Sequence, residues 1–339
     1  MSSHGYDAVL LVSFGGPEGP DDVMPFLENV TRGRDVPRER LLEVAEHYHH
    51  FGGVSPINGQ CRELLAAVGA DFETNGIDLP LYWGNRNWDP LLTDTMRQMA
   101  DDGVGRALAF VTSAYSSYSS CRVYREDIEA ARAEVGPGAP VVDKIRPFYD
   151  HPGFVEPMVR ATRDSLLELP ADERAGARLV FVAHSIPIAM SDASGPTGGA
   201  YPAQVTETAR LVAQAVGQYD WDVAWCSRSG PPSQPWLEPD VCDHLVTLHD
   251  KGVRAVAIIP VGFVSDHMEV VFDLDTEALG EARKLGMHAV RVPAVGTAPE
   301  FVSMVRELVL ERTHPATPRR ALGRLGPSWD RCAPDCCRS

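Results

Sequence analysis

Several things are missing from the 339-residue sequence, and each absence narrows the reading. Positive charge is in deficit: the formal net charge is -16, which argues against a general nucleic-acid binder. A local basic group, Arg32, Arg34, Arg38 and Arg40, could still hold an anionic ligand. The opening MSSHGYDAVLLVSFGG has no cationic lead and no small-residue cleavage site, and its apolar run is far too short to span a bilayer. The expectation is a soluble cytoplasmic enzyme with no transmembrane segment. A secreted disulfide framework is also excluded, because the seven cysteines are odd in number for a chain of this size. Four of them (Cys61, Cys121, Cys226, Cys242) are scattered, whereas Cys332, Cys336 and Cys337 crowd the last eight residues.

What is present suits a folded α/β protein. A hydrophobic content of 44% can supply a substantial core for one large domain or two modest ones. Short β-branched runs alternate with helical periodicity, the pattern of parallel strands joined by crossover helices. Strands are expected at 8–13, 81–84, 107–113, 141–146, 179–183, 223–227, 255–261 and 288–292. Four and four suggests two similar halves, 1–150 and 151–312, with a seam near 149–153 where Pro147 and Pro152 precede a helical run over 154–169. The remainder, 313–339, turns rich in Pro, Gly and Arg without apolar period. It reads as an irregular, cysteine-bearing tail whose composition predicts disorder unless a bound metal overrides it.

Open parallel sheets bind ligands beyond the carboxyl ends of their strands, so the segments directly after each strand carry the chemistry. The strand Leu179-Val180-Phe181-Val182-Ala183 runs into His184, an imidazole that can exchange protons near neutral pH or bind a metal. A hydrogen-bonded core histidine is the plain alternative. A serine-hydrolase reading through Ser185 fails for want of a G-x-S-x-G elbow. After Ser265, a helix would put Glu269, Asp273 and Glu277 on one face, and no Lys or Arg occurs between Arg254 and Arg283 to neutralise them. That row is either a solvated face or a line of hard oxygen ligands for a divalent cation. The hydroxyl-rich loop Tyr115-Ser116-Ser117-Tyr118-Ser119-Ser120 precedes a helix expected near Arg122, where hydroxyls, helix-start amides, Arg122 and Arg125 could receive carboxylates, or where the serines simply cap. Gly52-Gly53-Val54-Ser55-Pro56 reads as a turn feeding a helix, with Ser55 as cap or ligand contact.

Taken together, Ser13-Phe14-Gly15-Gly16-Pro17, Phe51-Gly52-Gly53-Val54-Ser55-Pro56, Ala183-His184-Ser185-Ile186-Pro187, Ser227-Arg228-Ser229-Gly230, Pro235-Trp236-Leu237 and Gly262-Phe263-Val264-Ser265-Asp266-His267-Met268-Glu269 resemble the ferrochelatase family. The likeness runs from about Ala8 to about Leu310. It implies two Rossmann-like halves with a porphyrin cleft between them, and insertion of ferrous iron into the porphyrin. By this resemblance His184 matches the family's invariant histidine and Glu269 its facing glutamate, sharing proton abstraction and iron binding. Asp273 and Glu277 match the family's acidic path for iron. Phe14 stands where some members carry a tyrosine, so oxygen ligation of the metal is lost there while packing against the macrocycle remains.

The chain resembles the Gram-positive, actinobacterial branch, which implies coproporphyrin III as substrate and coprohaem as product. Its four propionates would meet Arg32, Arg34, Ser55, Ser116, Tyr118, Ser119 and Tyr124. Cys332, Cys336 and Cys337 resemble the tail of members holding a 2Fe–2S cluster, and Cys121, following a site loop, is the choice for the fourth ligand. A zinc site or free thiols are the alternatives. Protoporphyrin IX, insertion of another metal into another tetrapyrrole, and a porphyrin or haem carrier without catalysis compete with this reading. A carrier needs no paired base and acidic row. A haem-acceptor protein is a plausible partner that no residue identifies.

Overall fold

The computed structural model describes residues 5–33, 35–231 and 233–338. It contains the eight expected strands: β1 Ala8–Ser13, β2 Leu81–Asn85, β3 Arg106–Val111, β4 Val141–Lys144, β5 Arg178–His184, β6 Trp221–Cys226, β7 Ala255–Ile259 and β8 His288–Arg291. The inner strands read as unbroken apolar runs because helices cover both faces of a parallel sheet. All six residues of β1 and all five of β7 are buried.

Two four-stranded sheets form, in the orders β2-β1-β3-β4 and β6-β5-β7-β8. Every pairing is parallel, with Val9 opposite both Leu81 and Leu108, and Leu179 opposite both Trp221 and Ala257. Each sheet winds first outward from its opening strand and then back past it. The crossovers therefore reverse direction between β1 and β3, and again between β5 and β7, the switch points at which α/β sheets place ligands.

The chain divides into two compact units. One runs up to Thr112 and adds Tyr124–Ile145 and Val305–Thr317; the other comprises Ser113–Val123, Arg146–Met304 and the chain from Pro318 on. The sequence seam at 149–153 lies just past the Ile145/Arg146 boundary, while the serine loop, sequence-wise in the first half, goes with the second unit. In the first unit Phe26, Leu27 and Leu41 form a core against which Phe14 and Trp88 pack. In the second, Val182, Ala224, Leu245 and Ile258 share one core with Phe263, Val270, Leu274 and Ala278.

That last row explains how the acidic segment is held. Val270, Leu274, Ala278 and Ala282 are fully buried at four-residue spacing, one position after Glu269, Asp273, Glu277 and Glu281. The element is not the α-helix expected after Ser265 but a nine-residue π-helix, Val270–Ala278, continued by the α-helix Leu279–Lys284. Sequence spacing cannot tell the two apart here, since four residues bring a side chain nearly back to its own face in either; π-turns are rare and concentrate at functional sites.

Other expectations need adjustment. The helix after the serine loop starts earlier than Arg122, as a π-turn Tyr118–Arg122 capped by Ser117, which accepts from the Ser120 N–H at 3.0 Å, and then becomes the α-helix Val123–Val135. Ser55 is not a helix cap: the helix Ile57–Thr74 has Pro56 at that position and no side-chain cap. Among the described residues the tail has no helix or strand after Thr313 but is tied down rather than loose: Leu322 N–H donates to the Asp150 carbonyl at 2.9 Å, Arg146 to the Arg320 carbonyl at 2.8 Å, and Arg319 pairs with Asp330 at 3.0 Å. Among the described residues no helix is long and apolar enough to cross a membrane.

Gly262 tests how closely the β5/β7 switch point is packed. A Cβ there would lie 2.6 Å from both Cα and Cβ of Ala183, the residue before His184. Gly262→Ala is expected to destabilise the protein by about 1–3 kcal/mol through overpacking, read as a lower urea midpoint at unchanged slope. A midpoint equal to wild type would contradict the close approach.

Candidate active site

His184 is the last residue of β5, paired in register with Cys226. Its carbonyl accepts from the buried Tyr201 hydroxyl at 2.8 Å, which fixes the strand end. Its ring Nδ1 lies 2.5 Å from the Ser185 carbonyl. A carbonyl only accepts, so Nδ1 carries a proton and Nε2 is the working nitrogen, 3.6 Å from Oε1 of Glu269. The chain after β7 turns at Gly262, whose N–H donates to the Val182 carbonyl at 3.0 Å, and so delivers 263–269 beside the end of β5. The Glu269 N–H donates to His267 Nδ1 at 3.2 Å, leaving that ring's Nε2 3.8 Å from Glu269 Oε2. One carboxylate thus stands between two imidazoles.

The charges follow from this placement. Burial alone would lower the pKa of His184, but the facing Glu269 carboxylate reverses the effect and raises it to about 9. Burial alone would raise that of Glu269, but the His184 charge brings it down to about 2. For His267 burial prevails and the pKa is lowered. At neutral pH the pair is therefore an imidazolium facing a carboxylate, with a neutral second imidazole beside it. The side chains of His184 and Glu269 are 33% and 45% exposed, so the pair is open to solvent and to a ligand.

Behind it the acidic row is crowded. Burial, then the charges of Glu269 and Glu277, push Asp273 up to about 7, against a hydrogen bond from the Ser227 hydroxyl. Glu277, at the rim, is shifted upward by partial desolvation and by Asp240. Arg291 pairs with Asp266 and Asp275, which are not members of the row. A carboxyl group that holds its proton near neutral pH, as Asp273 does, is suited to exchanging it for a divalent cation.

Sequence reasoning missed His267 and Ser227 as members of this site. Both lie in segments after strands β7 and β6, which was the available signal. What places Ser227 is its left-handed backbone, φ 62°, which turns its hydroxyl onto Asp273 and which no residue type announces.

The other candidates are distributed over both units. Phe14, in the first unit, packs edge-on against Phe26 at 6.2 Å with the Arg86 guanidinium 5.7 Å from its ring. Tyr124 is buried under the same guanidinium at 4.7 Å, and Arg86 is ion-paired with Asp127. Ser55 is buried against Gly16. Arg32 is exposed and donates to Asn29, while Arg38 and Arg40 pair with Glu28 and Glu43. Arg34 lies outside the described residues. In the second unit Ser116 is buried and doubly bonded to Gln204, through its N–H at 2.8 Å and its hydroxyl at 3.0 Å; Tyr118 is half-buried and Ser119 exposed.

The tail cysteines meet Cys121. Its thiol is hydrogen-bonded to that of Cys332, and the Cys336 and Cys337 sulfurs lie 3.5 Å apart. Burial and the charges of Cys336 and Cys121 raise the Cys337 thiol to about 12. Four sulfurs, three of them buried, fit an iron–sulfur cluster in number and softness. Among the described residues, however, no three His, Cys, Asp or Glu side chains stand in an arrangement that could hold a metal ion.

With this geometry in hand, comparison with known proteins is direct. A family model described as Ferrochelatase matches residues 6–313. A ferrochelatase of Rhodopirellula baltica is 56% identical over 333 residues, covering 98% of this chain and 93% of the relative. A coproporphyrin III ferrochelatase of Streptomyces griseus is 54% identical over 349 residues, again 98% and 93%. Among solved structures, SirB from Bacillus subtilis with Fe3+ superposes with a TM-score of 0.56 at 14% identity, covering 92% of this chain and 99% of that one; at that identity it shows the fold alone.

Removing the carboxylate charge tests the electrostatics. In Glu269→Gln the His184 ring loses its main upward influence while burial remains, so its titration, followed by NMR of the imidazole carbon, is expected to fall from about 9. A midpoint unmoved by the substitution would show that Glu269 does not set it.

Proposed function

The chain belongs to the ferrochelatase family, and from that premise we propose that it inserts ferrous iron into coproporphyrin III, giving coprohaem and two protons. The observation that carries this reading is the His184–Glu269 pair, 3.6 Å apart, backed by the acidic row. A porphyrin must lose two pyrrole protons before a metal can enter its plane, so a base and a metal-delivery group have to act together. In the resting protein His184 already holds a proton, because Glu269 is charged. Ferrous iron arriving at Glu269 would compensate that charge and lower the pKa of His184, which gives its proton to solvent and, as a neutral imidazole, accepts one pyrrole proton while the second passes to water. Asp273 and Glu277 supply oxygen ligands on the way, with Asp273 exchanging its own proton for the cation. Bending of the macrocycle in a rigid site would expose the nitrogen lone pairs.

The substrate choice is supported by relatives at 54–56% identity in Streptomyces and Nocardia that are coproporphyrin III ferrochelatases. Arg32, Arg34 and Ser119 are the propionate contacts in this reading, with Tyr118 and Ser55. Ser116 and Tyr124 act behind them, by holding Gln204 and Arg86, and Phe14 packs on the macrocycle. Cys121, Cys332, Cys336 and Cys337 would hold a 2Fe–2S cluster that fixes the tail; when bound it supplies structure or redox sensing, since no step of insertion needs an electron. The reaction belongs in the cytoplasm, with coprohaem passing to an acceptor protein.

An anaerobic insertion assay with coproporphyrin III and protoporphyrin IX tests the reading. His184→Ala and Glu269→Gln are expected to lose at least about 100-fold in rate while porphyrin binding, followed by fluorescence, persists; wild type should prefer coproporphyrin III. Full activity in both variants would overturn the assignment. For the tail, protein purified without oxygen should show cluster absorption that Cys332→Ser abolishes, and a colourless protein free of iron and sulfide would reject the cluster.

A further inference from the structure

Glu269 is not itself one of the buried residues that anchor its segment. It precedes a π-helix whose amino end has no side-chain cap, and the loop before it leaves β7 through Gly262. Glu269 stands at the amino end of an i→i+5 helix, a form that is rare and frequent at functional sites, and the direction in which it points depends on how the segment around it is fastened. Besides the buried row and the Ser227–Asp273 hydrogen bond, one side chain fastens the segment on both sides of Glu269. Arg291, the last residue of β8, donates from Nε to Oδ1 of Asp275 at 2.7 Å and from Nη2 to Oδ2 at 3.0 Å, a two-pronged fork on one carboxylate. Its Nη1 reaches Oδ1 of Asp266 at 2.9 Å, and the same oxygen accepts from the Ala294 N–H at 3.2 Å.

Asp266 stands three residues before Glu269 and Asp275 six after, so one guanidinium fastens the segment on both sides of it. Arg291 is 16% exposed in its side chain, which keeps these charge-assisted bonds from being fully screened. It touches neither Glu269 nor His184. It also takes up the two aspartates that are off the row, leaving Glu269, Asp273 and Glu277 available to a cation.

We infer that Arg291 is a positioning residue for iron insertion: by clamping Asp266 and Asp275 it sets the placement of Glu269 against His184. This rests on the reading of Glu269 given above. The planar fork is what matters, so lysine, a point charge, does not replace it.

The test uses full-length protein and four variants in the anaerobic coproporphyrin III assay, with thermal melting alongside. Arg291→Lys and Asp275→Asn are each expected to lower kcat by about 10–100-fold, as for other residues that orient ligands from behind, with KM for the porphyrin unchanged. In both, the His184 ring titration should move down from its wild-type position, since Glu269 no longer faces it squarely. The double variant should be no worse than the more impaired single one, because both break the same contact. Arg178→Lys is the control: Arg178 makes a comparable fork to Asp222 at the far end of β5, with bonds of 2.6 and 3.0 Å. It should lose stability without moving kcat or the His184 titration. If Asp275→Asn and Arg291→Lys both keep wild-type kcat and an unmoved His184 titration while Glu269→Gln is inactive, the clamp is wrong and the Glu269 reading stands. If Glu269→Gln is itself fully active, the underlying reading fails first. Loss of folding in Arg291→Lys leaves Asp275→Asn to decide by the same criteria.

Discussion

A carboxylate held between two imidazoles is the constraint on which the second unit depends. Glu269 faces His184 at 3.6 Å and His267 at 3.8 Å, and each contact alters what the others can do. It keeps a proton on His184, and its own charge raises the proton affinity of Asp273 behind it. None of this would be stable if the segment could relax away from β5. It is retained by the buried row Val270, Leu274 and Ala278 on one face, by Ser227 on Asp273, and by Arg291 on Asp266 and Asp275.

The topology explains why these groups meet at all. In the order β6-β5-β7-β8 the crossovers reverse between β5 and β7. The chain leaving each of these strands turns away to opposite sides, opening room beyond their carboxyl ends. His184 ends one of the two strands and the Glu269 segment follows the other. The close approach of Gly262 to Ala183 brings the two chain segments within side-chain reach, which a larger residue at either position would prevent.

Much of this is legible from sequence, and the rest is hidden for identifiable reasons. The strands are visible because a parallel strand covered on both faces must be apolar throughout, as AVLLVS and AVAII are. His184 is visible because it ends such a run, and the acidic row because no basic residue interrupts it. The π-helix is not, since a four-residue repeat of buried and acidic side chains suits it as well as an α-helix. Nor is the role of Ser227, which depends on a positive φ, or that of Ser116, whose hydroxyl is turned inward to Gln204 rather than outward as a polar loop suggests. The tail's composition gives no hint of order. It is held by the Arg146 guanidinium on the Arg320 carbonyl and by the Leu322 N–H on the Asp150 carbonyl, contacts far apart in sequence that a composition argument cannot reveal.

Asp273, crowded by Glu269 and Glu277, holds a proton near neutral pH that a divalent cation can replace. The most direct measurement is a carbon-13 NMR titration of the Asp273 carboxyl, with and without a diamagnetic divalent ion such as Zn2+. The account predicts a midpoint near 7 in the free protein that falls when the ion is added. An ordinary aspartate midpoint, or one indifferent to the ion, would contradict it.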